Sequence, residues 1–304
     1  MSIQILAPIF FRMMVLILLG LFLKRAGLIN DELQRGFSRL LLSVIMPVNI
    51  ANSALQVEQK PTGRLLGVTL LIIFAYYVIG ILFGDLCARL LFRDEKQRKI
   101  FSICIIYANV GFIGIPMTSE LFGYAGGSMY AVVHALAFNL MTCIHMTRAM
   151  SGTSAMDLKT LARTPINYGG LIALLAFLFP IRLPAFIMDT TASISAMTVP
   201  LSMLIIGAQM AGADLKGMIK SRLTVFICLF RLVVVPLIML GVLRAIGADP
   251  VTRGALVLLS AMPVGSVDAI FAERYDCLPQ ETALAVVSSN IFMLVTIPAM
   301  MLLV

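Results

Sequence analysis

Apolar residues fill this chain in blocks of about twenty, the length of helix that crosses a bilayer core. Ten such blocks fall near residues 5–24, 36–56, 64–91, 99–122, 127–148, 165–181, 186–211, 220–244, 253–275 and 281–304. Polar residues collect between them in short connectors. The blocks are continuous and lack the alternation that a membrane β-barrel requires. The longest connector, residues 149–164, divides the chain near its middle. The pattern predicts an all-α polytopic membrane protein with ten transmembrane helices. A first five-helix set covers 1–148, a linker 149–164, and a second five-helix set 165–304.

Two blocks are interrupted at their centres, at matching places in the two halves. The fourth reads YANVGFIGIP over 107–116 and the ninth AMPVGSVD over 261–268. Proline removes a helical hydrogen bond and clashes with the preceding turn, while glycine admits conformations that a helix forbids. Hydrocarbon cannot satisfy the backbone groups so released, and such breaks persist only where protein, water or a ligand covers them. Paired breaks in corresponding halves point to the midplane binding site of a secondary carrier. Asn109, Gly111, Gly114 and Pro116 crowd together in the fourth span, and Pro263, Val264 and Gly265 in the ninth. Where the second halves of two such helices meet, their N-termini offer partial positive charge and uncapped N–H groups, which suits an anion. These residues are therefore the candidate substrate contacts, with Asn49, just past Pro47, as a weaker one.

Composition narrows the class further. Sixty per cent of the 304 residues are hydrophobic, only 12% are charged, and the mean hydropathy is +1.01. A soluble domain of this length could not bury so much apolar surface, whereas lipid accepts it. The net charge of +8 does not indicate a nucleic-acid partner, because its lysines and arginines sit in short connectors and no basic run is interleaved with aromatics. The five cysteines show no metal or redox spacing. The N-terminus reads as a retained first helix, not a cleaved leader. No H-E-x-x-H, G-x-S-x-G or phosphate loop occurs, so no enzyme and no cofactor is expected.

Sixteen lysines and arginines lie in connectors that follow odd-numbered spans, among them Lys24, Arg93, Lys159 and Lys216; five follow even-numbered ones, including Lys60 and Arg182. Positive charge marks the cytoplasmic side. Both termini are therefore expected outside a multi-pass protein of the cell membrane. With five spans in each half, the halves enter from opposite sides, so homology between them would be an inverted repeat. Met46-Pro47 matches Val199-Pro200, and the AVV at 131–133 with Phe138 and Thr142 matches the AVV at 285–287 with Phe292 and Thr296, at nearly one offset.

The runs YANVGFIGIPMTSELFG (107–123) and AMPVGSVDAIFAERYDCLP (261–279) resemble the auxin efflux carrier family: plant PIN-type carriers and bacterial relatives associated with malonate or malate. Their shared elements are Asn-x-x-x-x-Gly-x-Pro in the fourth span and Met-Pro followed by Phe-Ala-x-x-Tyr-x-x-x-Pro in the ninth. LLLSVIMPVNI at 40–50 and VPLSMLIIGAQMAG at 199–212 fit the second and seventh spans similarly. The resemblance implies two inverted five-helix repeats, with broken helices four and nine crossing at Pro116 and Pro263, as in bile-acid-symporter and NhaA-like folds. It also implies elevator motion against a scaffold of spans one, two, six and seven, and substrate held in part by Asn109. The chain departs from the long plant type in its short central linker, and from plant members in carrying Asp268 after Pro263.

Ionisable residues inside spans are costly and tend to line a pathway or find a partner. Asp268, five residues past Pro263, is read as a proton-coupling group, with a structural ion pair to Arg231 or Arg12 as the alternative. Glu120 and His134 are weaker candidates for the same role. His134 and His145 stand eleven residues apart and form no metal pair. Asn139 and Asn290 are expected to bond across helices or to the broken backbone, and Asp85 with Arg89 is expected as an i,i+4 ion pair. The expected partners are a small organic anion and the lipid bilayer, with a homodimer left open. The rival readings are a sodium-coupled organic-anion symporter and a non-transporting membrane sensor.

Overall fold

The computed structural model describes residues 3–57, 61–153, 156, 158–179, 181, 183–212 and 215–304. Lys60 and Arg182, and Ser154, Ala155 and Asp157 of the expected linker, lie outside the described residues. Every regular element among the described residues is helical. Among the described residues, seven helices are long and apolar enough to cross a membrane. They are α1 (Ile3–Arg25), α2 (Asp31–Leu55), α3 (Gly63–Leu91), the stretch Met129–Ser151, α7 (Ala185–Met210), α8 (Arg222–Ala245) and α11 (Pro279–Leu303). They coincide with expected spans one, two, three, five, seven, eight and ten.

The remaining three positions differ in kind. The sixth is a shorter apolar helix, α6 (Pro165–Leu178), which begins on a proline at its first turn. The fourth is interrupted: α4 (Glu95–Ile106) stops, three residues run without helix, and α5 (Ile115–Met141) follows a π-helical turn at Val110–Gly114. Within α5 the helix is kinked at Gly123, whose φ of 65° suits glycine, so the element joins the end of the expected fourth span to the start of the fifth. The ninth is also interrupted, as α9 (Pro250–Ser260) and α10 (Ser266–Arg274).

Helix starts follow ordinary capping chemistry. Asn30, Asp94, Ser221 and Asp249 each accept from an amide in the first turn of α2, α4, α8 and α9. Three of the four π turns among the described residues end two positions before a proline: Leu41–Ile45 before Pro47, Val110–Gly114 before Pro116, and Phe230–Val234 before Pro236. Proline has no N–H for the carbonyl four residues back and collides with it. Widening that turn relieves the collision without breaking the helix.

The chain divides into two compact units. One consists of Met1–Leu70, Val110–Leu136 and Lys159–Ala211, and thus holds α1, α2, α6 and α7. Within it α1 packs along α7 and α2 along α6. Asn49 Nδ2 donates to the Ser195 carbonyl at 3.4 Å, and Thr191 donates to Asn52 Oδ1 at 3.0 Å. The other consists of Leu71–Asn109, Ala137–Leu158 and Gly212–Val304, and holds α4, α8, α9, α10 and α11. Phe92, Phe101, Phe226 and Phe230 form an aromatic cluster there, where α4 meets α8. The expected Asp85–Arg89 pair does not form: Asp85 accepts from Ser102 at 2.6 Å instead.

Candidate functional site

Tyr107 leaves α4 with φ −93° and ψ 102°, and Gly265 enters α10 with φ −68° and ψ 136°. Both are extended conformations, and the two extended stretches pair. Ala108 and Val264 face each other in an antiparallel bridge. The Asn109 N–H donates to the Pro263 carbonyl at 2.8 Å, and the Gly265 N–H donates to the Tyr107 carbonyl at 3.1 Å. Each broken span therefore satisfies part of the other's released backbone. The pairing passes through Pro263 but not Pro116, which lies buried in the first turn of α5.

The tenth span supplies the next contact. Ser289 Oγ on α11 accepts the Val264 N–H at 3.0 Å and donates to the Val286 carbonyl at 2.9 Å. The adjacent Asn290, expected to reach the broken backbone, is fully buried, and its amide oxygen and nitrogen have no hydrogen-bond partner among the described residues. Ser289→Ala strands a buried N–H at a cost of about 1–3 kcal/mol. The expected result is a melting temperature several degrees lower, whereas Ser288→Ala, which loses only a bond to Leu284 one turn back, stays near wild type.

The carbonyl ends of the first halves converge on one side chain. Arg231, in the π turn of α8, has no exposed surface. Its Nε donates to the Met262 carbonyl at 2.8 Å and Nη2 to Ser260 at 2.6 Å. Nη1 donates to Ile105 at 2.7 Å, to Ile106 at 3.5 Å and to the Tyr76 hydroxyl at 2.9 Å. Tyr107 Oη donates to the Met141 carbonyl at 2.9 Å and meets His145 Nδ1 at 3.1 Å, while the two rings stack.

Asp268 sits in the first turn of α10, where a negative group suits the helix N-terminus. It is 1% exposed, and neither carboxylate oxygen has a hydrogen-bond partner among the described residues. The ion pair to Arg231 or Arg12 does not form. Arg231 serves carbonyls, and Arg12 pairs with Glu120.

Asn109, Pro263, Val264, Gly265 and Asp268 thus belong to one unit. Asn49, Gly111, Gly114, Pro116, Glu120 and His134 belong to the other. Gly111 packs on Met46, the Gly114 carbonyl accepts from Thr118 at 2.6 Å, and His134 is buried. Neither Arg231 nor Ser289 stands out in the sequence as a site residue. A lone charge inside an apolar span was the available signal for Arg231; Ser289 carries no signal beyond its place in the tenth span.

Long apolar helices, together with two interrupted spans whose polar backbone is covered by protein, define a polytopic membrane transporter. The chain matches the membrane transport protein family over residues 4–155 and 146–301 and belongs to that family, the one of the auxin efflux carriers. It is similar to an uncharacterized transporter of Methanocaldococcus jannaschii, at 23% identity over 93% of this chain and 92% of the relative. It is also similar to one of Methanothermobacter thermautotrophicus, at 24% identity over 94% of each chain.

Proposed function

We propose that the protein is a secondary active transporter of small organic anions, mono- or dicarboxylates or aromatic acids, working by elevator-type alternating access. The observation that carries this reading is the bridge between the two broken spans. Beside it, α10 begins at Ser266 without a side-chain cap on Gly265, and an uncapped helix N-terminus suits an anion. Asn109 and Gly265 lie at that bridge, and Val264 is part of it. Gly111, Gly114, Pro116 and Asn49 enter the proposal through the sequence pattern, as does a crossing at Pro116 and Pro263. Elevator motion against a scaffold of spans one, two, six and seven enters the proposal through the family resemblance. Asp268 is the proton-coupling group in this reading, tolerating the anion when protonated and helping to expel it when ionised. Orientation with both termini outside and a pseudo-symmetric pair of five-helix repeats complete the proposal.

The test is thermal stability of the purified protein against a panel of carboxylates and aromatic acids, followed by flux in proteoliposomes. A substrate present at about a hundred times its Kd stabilises the folded state by about 2.7 kcal/mol. Asn109→Ala is expected to lose most of that shift while melting near the wild-type temperature in buffer alone. A panel in which no acid stabilises the protein and none crosses the membrane refutes the reading.

A further inference from the structure

Arg231 raises a question of charge that transport of an anion does not answer. A guanidinium without exposed surface ordinarily requires a carboxylate, because an isolated buried charge is expensive. Among the described residues no acidic side chain lies within ion-pair distance of it. Its donors instead reach the carbonyls of Ile105 and Ile106, which close α4, and of Ser260 and Met262, at and just past the end of α9. A helix C-terminus carries roughly half a negative charge, so two of them offset about one cation. Unwound carbonyls and half-helix C-termini are also what coordinates sodium in carriers with broken helices. Here the same kind of oxygen set is already taken by covalently attached nitrogen.

We infer that Arg231 is a built-in counter-ion: it neutralises and ties together the carboxyl ends of both broken spans, in the role that a bound metal cation would otherwise play. Two consequences follow. The wild-type protein needs no sodium or other metal cation to hold the paired breaks together. Removing the guanidinium leaves an oxygen-lined hole that accepts a small cation from solution. Lysine cannot substitute fully, because one nitrogen does not reproduce the planar fork that reaches both helix ends at once. The inference deepens the carrier reading by specifying coupling, and it rests on that reading only for its statement about transport.

The experiment compares wild type, Arg231→Gln, Arg231→Ala and Arg231→Lys by thermal unfolding in detergent. Each is measured in N-methylglucamine chloride, in sodium, lithium or potassium chloride at equal ionic strength, and with millimolar guanidinium. Wild type is expected to melt at one temperature in all of these. Glutamine and alanine variants are expected to melt on the order of 5–10 °C lower in N-methylglucamine. Guanidinium, or the metal cation that fits, should restore most of that loss, and the lysine variant should fall between. A wild type stabilised by sodium overturns the proposal. So does a glutamine variant that melts like wild type, or one that is destabilised and answers to no cation. Should alanine yield no folded protein, the glutamine and lysine variants and the wild-type salt series still decide. Failure of the carrier reading shows separately, as absent carboxylate flux alongside an intact cation response.

Discussion

Gly207→Leu is expected to abolish recovery of folded protein, and Gly207→Ala to reduce it sharply. In the structure a Cβ at Gly207 would run into the Ile17 carbonyl oxygen, and one at Gly20 into the Leu204 carbonyl oxygen. Both obstructions are backbone atoms, which cannot rotate away as a side chain would. The two glycines let α1 and α7 approach until their main chains touch, the packing that small residues permit between membrane helices. Any side chain forces the helices apart by more than about an ångström and empties contacts along both, and overpacking alone costs about 1–3 kcal/mol before the lost contacts are counted. Gly36 is the control, because a Cβ there meets nothing within 4 Å. Gly36→Ala should be neutral or stabilising by up to about 1 kcal/mol. Monodisperse yield on size exclusion and the melting temperature measure the contrast. A Gly207→Leu protein of wild-type yield and stability would show that α1 and α7 do not pack as described.

Hydropathy alone located most helices, since an apolar block of bilayer length has few alternatives to a helix. Spans such as Gly63–Leu91 and Pro279–Leu303 needed no further argument. The interruptions were equally visible, because Gly114, Pro116, Pro263 and Gly265 are poor helix residues in long apolar surroundings. What hydropathy could not supply was the partner of each released backbone group. That the Tyr107–Asn109 stretch pairs with Pro263–Gly265 depends on two segments more than 150 residues apart in sequence meeting in register. That Ser289 and not Asn290 caps Val264 depends on helical phase to within one residue. Arg231 illustrates the same limit. The sequence offered several acids inside spans, Asp268 and Glu120 among them, and charge pairing was the obvious use for a cation. Its actual partners are carbonyls, which every residue carries and no sequence pattern displays. The π turns before Pro47, Pro116 and Pro236 were legible only as prolines, not as the widened turns that accommodate them.

Asp268→Asn is expected to uncouple transport from the proton gradient while leaving the fold in place. Asparagine keeps the size and shape of the carboxyl group but neither gains nor loses a proton at working pH. If Asp268 carries one proton with each anion, a difference of about one pH unit supplies about 1.4 kcal/mol, enough for roughly tenfold accumulation of substrate. The variant should still exchange labelled substrate across proteoliposomes yet accumulate it only to about equality, with a flat dependence of rate on pH. Tyr107 and Cys104 are buried groups of the same unit that carry no coupling role in this reading. Tyr107→Phe and Cys104→Ser should therefore keep the pH dependence, which separates the carboxyl group from its surroundings. Asp268→Glu should retain coupling with altered rate, since the proton survives and only its position changes. An asparagine variant that accumulates substrate with the pH dependence and affinity of wild type removes Asp268 from the coupling step. Its place would then be explained by the stability of the α10 first turn alone.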